Sequence, residues 1–230
     1  EFIGYIEMIS ANKSKLFDLI FNLYNRNLIK RRFKGIYVYG LESLLSRVGA
    51  PFLVYANHSS WWDGLLAYEI SRLTSLDWYV MMEEKQLKKY FFFRWLGAFS
   101  IVRNDPKRSI ESINYAANLL NSKNDVALLI FPQGKIEAND LRPIKFESGI
   151  ARIVLKLKKV ALVPMACRYE FLGDFKPEIF VKLGSVKVVN GQSEKRPQLL
   201  KQMQHDLTII LDQLKSDICH SRLDAYQKIL

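Results

Sequence analysis

At 230 residues and 49% hydrophobic composition, the chain can bury one sizeable core, which excludes a disordered segment and leaves little room for two full domains. A net charge of +11 favours an anionic partner, whether nucleic acid, an anionic membrane surface or a phosphate-bearing substrate, without choosing among them. No run of about 18 uncharged apolar residues occurs, so no transmembrane helix is expected. Cys167 and Cys219 match no zinc or redox spacing, and Cys167, inside VALVPMACRYEF, reads as a buried thiol suited to a reducing compartment. The chain opens on Glu1 rather than methionine, which leaves a removed signal or anchor open.

The first segment, KSKLFDLIFNLYNRNLIKRRF, carries Lys15, Asp18, Asn22 and Arg26 at spacings of three and four among apolar residues. That pattern predicts a helix with a wide apolar face and a narrow polar one, closing on the cations Lys30, Arg31, Arg32 and Lys34. Such a helix either packs on the core or lies in a bilayer interface with its cations at the headgroups. Residues 1–34 are therefore set apart as an N-terminal amphipathic element, and residues 35–230 as one α/β domain.

Strand and helix patterns then alternate. Strands are expected at 36–40, 51–58, 77–82, 98–103, 125–132 and 159–167, with an edge strand or hairpin over 178–189. Helices are expected at 63–73, 83–96, 106–122, 146–158 and 196–218, with Pro106 placed as a first-turn residue. DVALLIFP is a continuous apolar run, as in a strand buried on both faces. Alternation of this kind implies an α/β fold with a mostly parallel central sheet flanked by helices, in which ligands gather where strands end and helices begin. In KKYFFFRWLG, the aromatics from Tyr90 to Trp95 are too many to face inward from one helix.

Four short stretches sit at such ends: NHSSWWD, GAFSIVR, IFPQGKIE and LVPMACR. His58 follows a strand and Asp63 opens a helix, so the turn between them can fold the carboxylate back onto one imidazole nitrogen. The acid would fix the tautomer and leave the other nitrogen to take a proton from a hydroxyl. The plainer alternative is that Asp63 caps its helix and His58 is a loop residue. Ser59 and Ser60 are too close in the same tight turn to align with the ring as nucleophiles, and Trp61 and Trp62 either line a channel or pack under the helix.

In order and spacing these stretches resemble the glycerolipid acyltransferase family, which includes lysophosphatidic acid acyltransferases. Asn57, His58 and Asp63 are similar to its first motif; Gly97, Phe99, Ile101 and Arg103 to its second; Phe131, Pro132 and Gly134 to its third; Val163 and Pro164 to its fourth. Phe146 and Gly149 repeat a pair that usually follows the third motif, and the resemblance spans residues 36–190. It implies transfer of a fatty acyl group from an acyl-CoA or acyl carrier protein thioester to a hydroxyl, with His58 as general base and Asp63 as its orienter. It also implies substrate contacts at Asn57, Gly97, Arg103, Phe131, Pro132, Gln133, Gly134, Lys135 and Pro164, with Arg103 meeting a phosphate of the acceptor. No metal and no cofactor beyond the thioester co-substrate are implied. The implied partners are a lipid acceptor, the acyl thioester, an anionic membrane surface and an acyl carrier protein as one form of donor. The implied location is the cytoplasmic side of a membrane, peripheral or monotopic.

The third motif departs from the family pattern: Gln133 and Lys135 stand where phospholipid-making members have glutamate and threonine, and Ile136 where arginine is frequent. Two acceptor types stay open, a phosphoglycerol met by Lys135 or a phosphate-free lipid such as a glycolipid or amino-acid lipid. A catalytically silent lipid-binding relative and a hydrolase using water are further alternatives. A nucleic-acid binder is not expected, because the aromatics lie in apolar runs and no nucleic-acid motif occurs.

Overall fold

The computed structural model describes residues 8–46 and 48–230. Its first helix, α1 (Lys15–Arg32), is capped by Ser14, whose hydroxyl accepts from the Phe17 amide, and ends on Lys30, Arg31 and Arg32. The part of the N-terminal element before residue 8 lies outside the described residues.

Among the described residues nine strands form one mixed sheet: β1 (Gly35–Tyr39), β2 (Phe52–Ala56), β3 (Asp77–Glu83), β4 (Ala98–Ile101), β5 (Val126–Ile130), β6 (Val160–Glu170), β7 (Glu178–Leu183), β8 (Lys187–Val189) and β9 (Gln227–Lys228). Across the sheet the order is β4-β3-β5-β2-β6-β7-β1-β9, with β8 also paired to β6. The pairs β4–β3, β3–β5, β5–β2 and β2–β6 are all parallel. Their carboxyl ends therefore share one edge, where the short segments after β2, β3, β4 and β5 meet. The fold is the expected mostly parallel sheet flanked by helices.

Period-two alternation divides the core. Leu53 and Tyr55 point with Leu128 and Ile130 toward α5 (Pro106–Ser122), α6 (Gly149–Val154) and α7 (Arg196–Cys219). Phe52, Val54 and Ala56 point the other way, with Ile29 of α1 and Leu66 and Ile70 of α3 (Asp63–Ser71). Pro106 is the first residue of α5, as its missing N–H allows, and Asp105 caps the helix by accepting from Lys107 and Arg108.

Two expectations are corrected. Residues 178–189 form no hairpin, and their longer part is no edge: β7 is an interior strand, antiparallel to β6 and parallel to β1, while β8 continues along β6 after a break at 184–186 and pairs on that side only. The helix expected at 83–96 is two pieces, α4 (Glu84–Lys89) and a 3-10 helix (Phe91–Leu96), broken at Tyr90 (φ −116°, ψ 55°). The tighter winding turns the aromatics to different sides. Phe92 and Phe93 pack against Phe21 of α1, Trp95 packs edge-on against Phe17, and Phe91 stays exposed. The 3-10 helix ends at Gly97 (φ 105°), where a Cβ would lie 2.6 Å from the Trp78 carbonyl oxygen, so only glycine fits.

α1 inverts the usual globular pattern. Only Phe21, Asn25 and Ile29 are buried, while Leu16, Leu19, Ile20, Leu23 and Tyr24 are exposed. It is held to α3 by polar contacts: the Asn25 amide donates to Glu69 Oε1 (2.7 Å) and to the Leu65 carbonyl (3.2 Å), and Tyr68 donates to Asp18 Oδ1 (2.8 Å). Burial raises the Glu69 carboxyl above the ordinary glutamate value, and the Asn25 amide opposes that rise.

Candidate active site

β2 ends at Ala56 in the middle of the sheet, and the chain turns through Asn57–Trp62 into α3. Asn57 is buried and takes over strand pairing where β2 stops. Its Oδ1 accepts from the Cys167 amide (2.8 Å), and its Nδ2 donates to the Cys167 carbonyl (2.9 Å) and to Asn139 Oδ1 (2.7 Å). The turn is thereby tied to β6 before His58 emerges.

His58 Nδ1 lies 2.8 Å from Asp63 Oδ2. The same oxygen accepts from the backbone amides of Ser59 (2.7 Å) and Ser60 (2.9 Å), so the carboxylate is gripped by the turn that presents the ring. Asp63 Oδ1 accepts from the Tyr169 hydroxyl (2.5 Å), and the Cys167 thiol stands 3.5 Å from it. Burial pushes both the Tyr169 phenol and the Cys167 thiol well above their ordinary values, helped by the Asp63 charge, so both keep their protons and act as donors. The side chain of Asp63 is 1% exposed and that of His58 24% exposed. A buried acid thus sits under a ring that reaches open space. Phe131 stacks on the imidazole (centroids 4.6 Å apart, planes at 26°) and fixes its other face.

The ring opens into a cavity of about 780 Å³ at the carboxyl edge of the sheet. Its wall is largely apolar, with Val80, Met82, Ile101, Ile113, Ile130 and Ile150 among its lining, and its charged groups are Glu83, Lys85, Arg103, Lys135, Glu147 and Arg152. Arg103 follows β4, three strands from β2, on the order of 14 Å away at the usual strand spacing. Its side chain reaches back until Nη1 packs on Gly134, where a Cβ would lie 2.6 Å from that nitrogen. Gly134 has φ 69°, a conformation glycine adopts freely. Arg103 Nε and Nη2 both meet Glu83 Oε2, at 2.8 and 2.6 Å.

Gln133 faces away from the cavity and braces the histidine turn. Its Oε1 accepts from the His58 amide (2.7 Å), its Nε2 donates to Glu137 Oε2 (2.8 Å), and the Glu137 amide donates to the His58 carbonyl (2.8 Å). Lys135 Nζ meets Glu137 Oε1 at 3.0 Å. The Lys135 ammonium and then the Gln133 amide hold the Glu137 carboxyl below the ordinary glutamate value.

Of the residues singled out in the sequence, His58, Arg103, Phe131, Pro132, Gly134 and Lys135 line this cavity. Asn57, Gly97, Gln133 and Pro164, expected as substrate contacts, do not. Asn57 and Gln133 brace the histidine turn, Gly97 closes the 3-10 helix, and Pro164 sits within β6 opposite Tyr55, before the strand reaches the edge. Tyr169, Cys167 and Glu83 were not expected. Tyr169 follows the fourth motif by five positions on an 11-residue strand, and strand alternation puts Cys167 and Tyr169 on one face, which is the only signal that pointed to them. Among the described residues no three His, Cys, Asp or Glu side chains cluster as metal ligands, and no helix is long and apolar enough to cross a membrane.

A family model described as "Acyltransferase" matches residues 35–168, more than half of the chain. No curated protein matches significantly. Among solved structures, the chain is similar to the 1-acyl-sn-glycerophosphate (LPA) acyltransferase PlsC from Thermotoga maritima, with a TM-score of 0.63 and 16% identity, over 86% of this chain and 79% of that one. At that identity the likeness concerns the fold.

Proposed function

Because the chain belongs to the acyltransferase family, we propose that it moves a fatty acyl group from an acyl thioester, carried by coenzyme A or acyl carrier protein, to a hydroxyl of a lipid acceptor. The observation that carries this is the 2.8 Å contact between His58 Nδ1 and Asp63 Oδ2 beside an apolar cavity of chain-holding size. Asp63 accepts the Nδ1 proton and so leaves the Nε2 lone pair toward the acceptor; among the described residues nothing hydrogen-bonds Nε2. The acceptor oxygen attacks the thioester carbonyl as its proton passes to Nε2, the carbon–sulfur bond breaks, and the imidazolium returns the proton to the leaving thiolate. Asp63 stabilises the transient imidazolium. The thiolate is already a good leaving group, so no metal or prosthetic group enters the scheme. His58→Ala is expected to abolish transfer of a radiolabelled acyl group from acyl-CoA to lipid while circular dichroism is unchanged; retained turnover would remove the general-base role.

A peripheral attachment to an anionic membrane fits the same chain. The apolar side chains Leu16 (70% exposed) and Leu23 (67%) of α1 lie open, and so do Phe171 (69%) and Phe175 (85%) in the loop after β6. That loop is fastened to the end of α1, where Lys176 Nζ meets the Lys30 carbonyl (3.1 Å). Lys30, Arg31, Arg32, Lys34 and Lys176 therefore gather where the end of α1 meets the loop bearing Phe171 and Phe175, the pattern of an interfacial element. The N-terminal element is on this view the anchor that brings the cavity to lipid substrates.

A further inference from the structure

The cations expected to meet a phosphate already have carboxylates of this chain. Arg103 directs two of its nitrogens to one oxygen of Glu83, and Lys135 meets Glu137. Glu137 is not free to swing away, since its backbone amide donates to the His58 carbonyl and its other carboxylate oxygen accepts from Gln133. Glu147 adds a third acid: its amide donates to the Pro132 carbonyl, and its Cγ would lie 3.4 Å from a Cβ on Gly134, on which Arg103 also packs. Arg103 and Lys135, the two bases that reach the third-motif loop from the cavity, are thus each held by an acid, and Glu147 stands beside Arg103 as a further one.

Resting on the acyl-transfer reading above, we propose that the acceptor presents an uncharged polyol group beside His58, as in a glycosylated or glyceryl lipid alcohol, and not a phosphomonoester. A phosphomonoester carries between one and two negative charges at neutral pH. To meet it, Arg103 offers only Nη1, and the Glu83 carboxylate held by its other two nitrogens then faces the incoming anion at short range. A polyol meets no such repulsion. Its hydroxyls donate to the carboxylates of Glu83 and Glu147 and accept from the nitrogens of Arg103 and Lys135, so the Arg103–Glu83 pair finds partners for both its members without separating. The cations that remain on the cavity wall, Lys85 of α4 and Arg152 of α6, are both exposed and suit the phosphates that either thioester carrier brings. Gln133, in place of an acid, is saturated by the His58 amide and Glu137, and so takes no part in choosing the acceptor.

The test offers the purified chain labelled acyl-CoA with three acceptors in mixed micelles: monoacylglycerol, an alkyl glucoside and lysophosphatidic acid. The first and third differ only by the phosphate. Wild-type protein is expected to use at least one uncharged acceptor with kcat/KM about tenfold or more above that for lysophosphatidic acid. Glu83→Gln, which frees Arg103, is expected to move the ratio toward lysophosphatidic acid by about fivefold or more, with thermal unfolding followed to confirm folding. Preference of the wild type for lysophosphatidic acid overturns the proposal and leaves acyl transfer standing. Label on none of the three overturns the acceptor class and acyl transfer together.

Discussion

The Tyr169 hydroxyl donates to Asp63 Oδ1 at 2.5 Å, while the other oxygen of that carboxylate meets His58 Nδ1 at 2.8 Å. A phenol on β6 thus holds the acid that holds the imidazole. Tyr169→Phe removes that donor and leaves the ring volume nearly unchanged, so the carboxylate is no longer held in place under the imidazole and its charge falls more heavily on the ring. The expected result is a kcat lower by about tenfold to a hundredfold with acceptor KM little changed, and an acid limb of the kcat/KM profile moved to higher pH. An unmoved pH profile would leave Tyr169 a packing residue only.

Gly134 has φ 69°, and a Cβ there would meet Arg103 Nη1 at 2.6 Å. Gly134→Ala is expected to strain the loop by about 1–2 kcal/mol and to push the guanidinium off its seat. A fall in Tm together with a raised acceptor KM checks this; a Tm change alone would mean that Arg103 does not help hold the acceptor.

Asn57 joins the end of β2 to Cys167 through two hydrogen bonds to its backbone and reaches Asn139 with a third. Asn57→Ala strands the buried Cys167 amide and carbonyl, which costs about 2–4 kcal/mol of stability. Urea unfolding measures it. The histidine turn loses its tether, so activity should fall further than the unfolded fraction accounts for.

Leu16, Leu23, Phe171 and Phe175 are exposed and bear no core contacts to lose. Replacing all four by serine is expected to leave the unfolding free energy within about 1 kcal/mol of wild type. Flotation with vesicles rich in anionic lipid should drop severalfold, and high salt should weaken binding of the wild type further. Equal flotation of both proteins would place the membrane contact elsewhere.

The βα alternation and the residues lying just after strands were legible because they depend on local periodicity and turn chemistry. His58 after an apolar β run and Asp63 at a helix start needed only the four residues between them. Where several local patterns compete, periodicity misleads. An aromatic-rich stretch read as one helix breaks at Tyr90, because Phe92 and Phe93 reach for α1 while Phe91 does not. Likewise, β7 looked like an edge strand, and only its pairing with β1, some 140 positions earlier, makes it interior.

The amino-acid sequence by itself determined the elements, the α/β class and the chemistry-bearing residues at strand ends, since these follow from short-range spacing and from side-chain types. Strand order is a long-range choice that no local pattern encodes. By setting β6 beside β2 and β3 between β4 and β5, it brought Tyr169 under Asp63 and Glu83 against Arg103. It also left Pro164 short of the sheet edge and turned Asn57 and Gln133 into braces. Which charges face the cavity already neutralised was therefore decided by tertiary packing, through contacts between groups 20 to 106 residues apart.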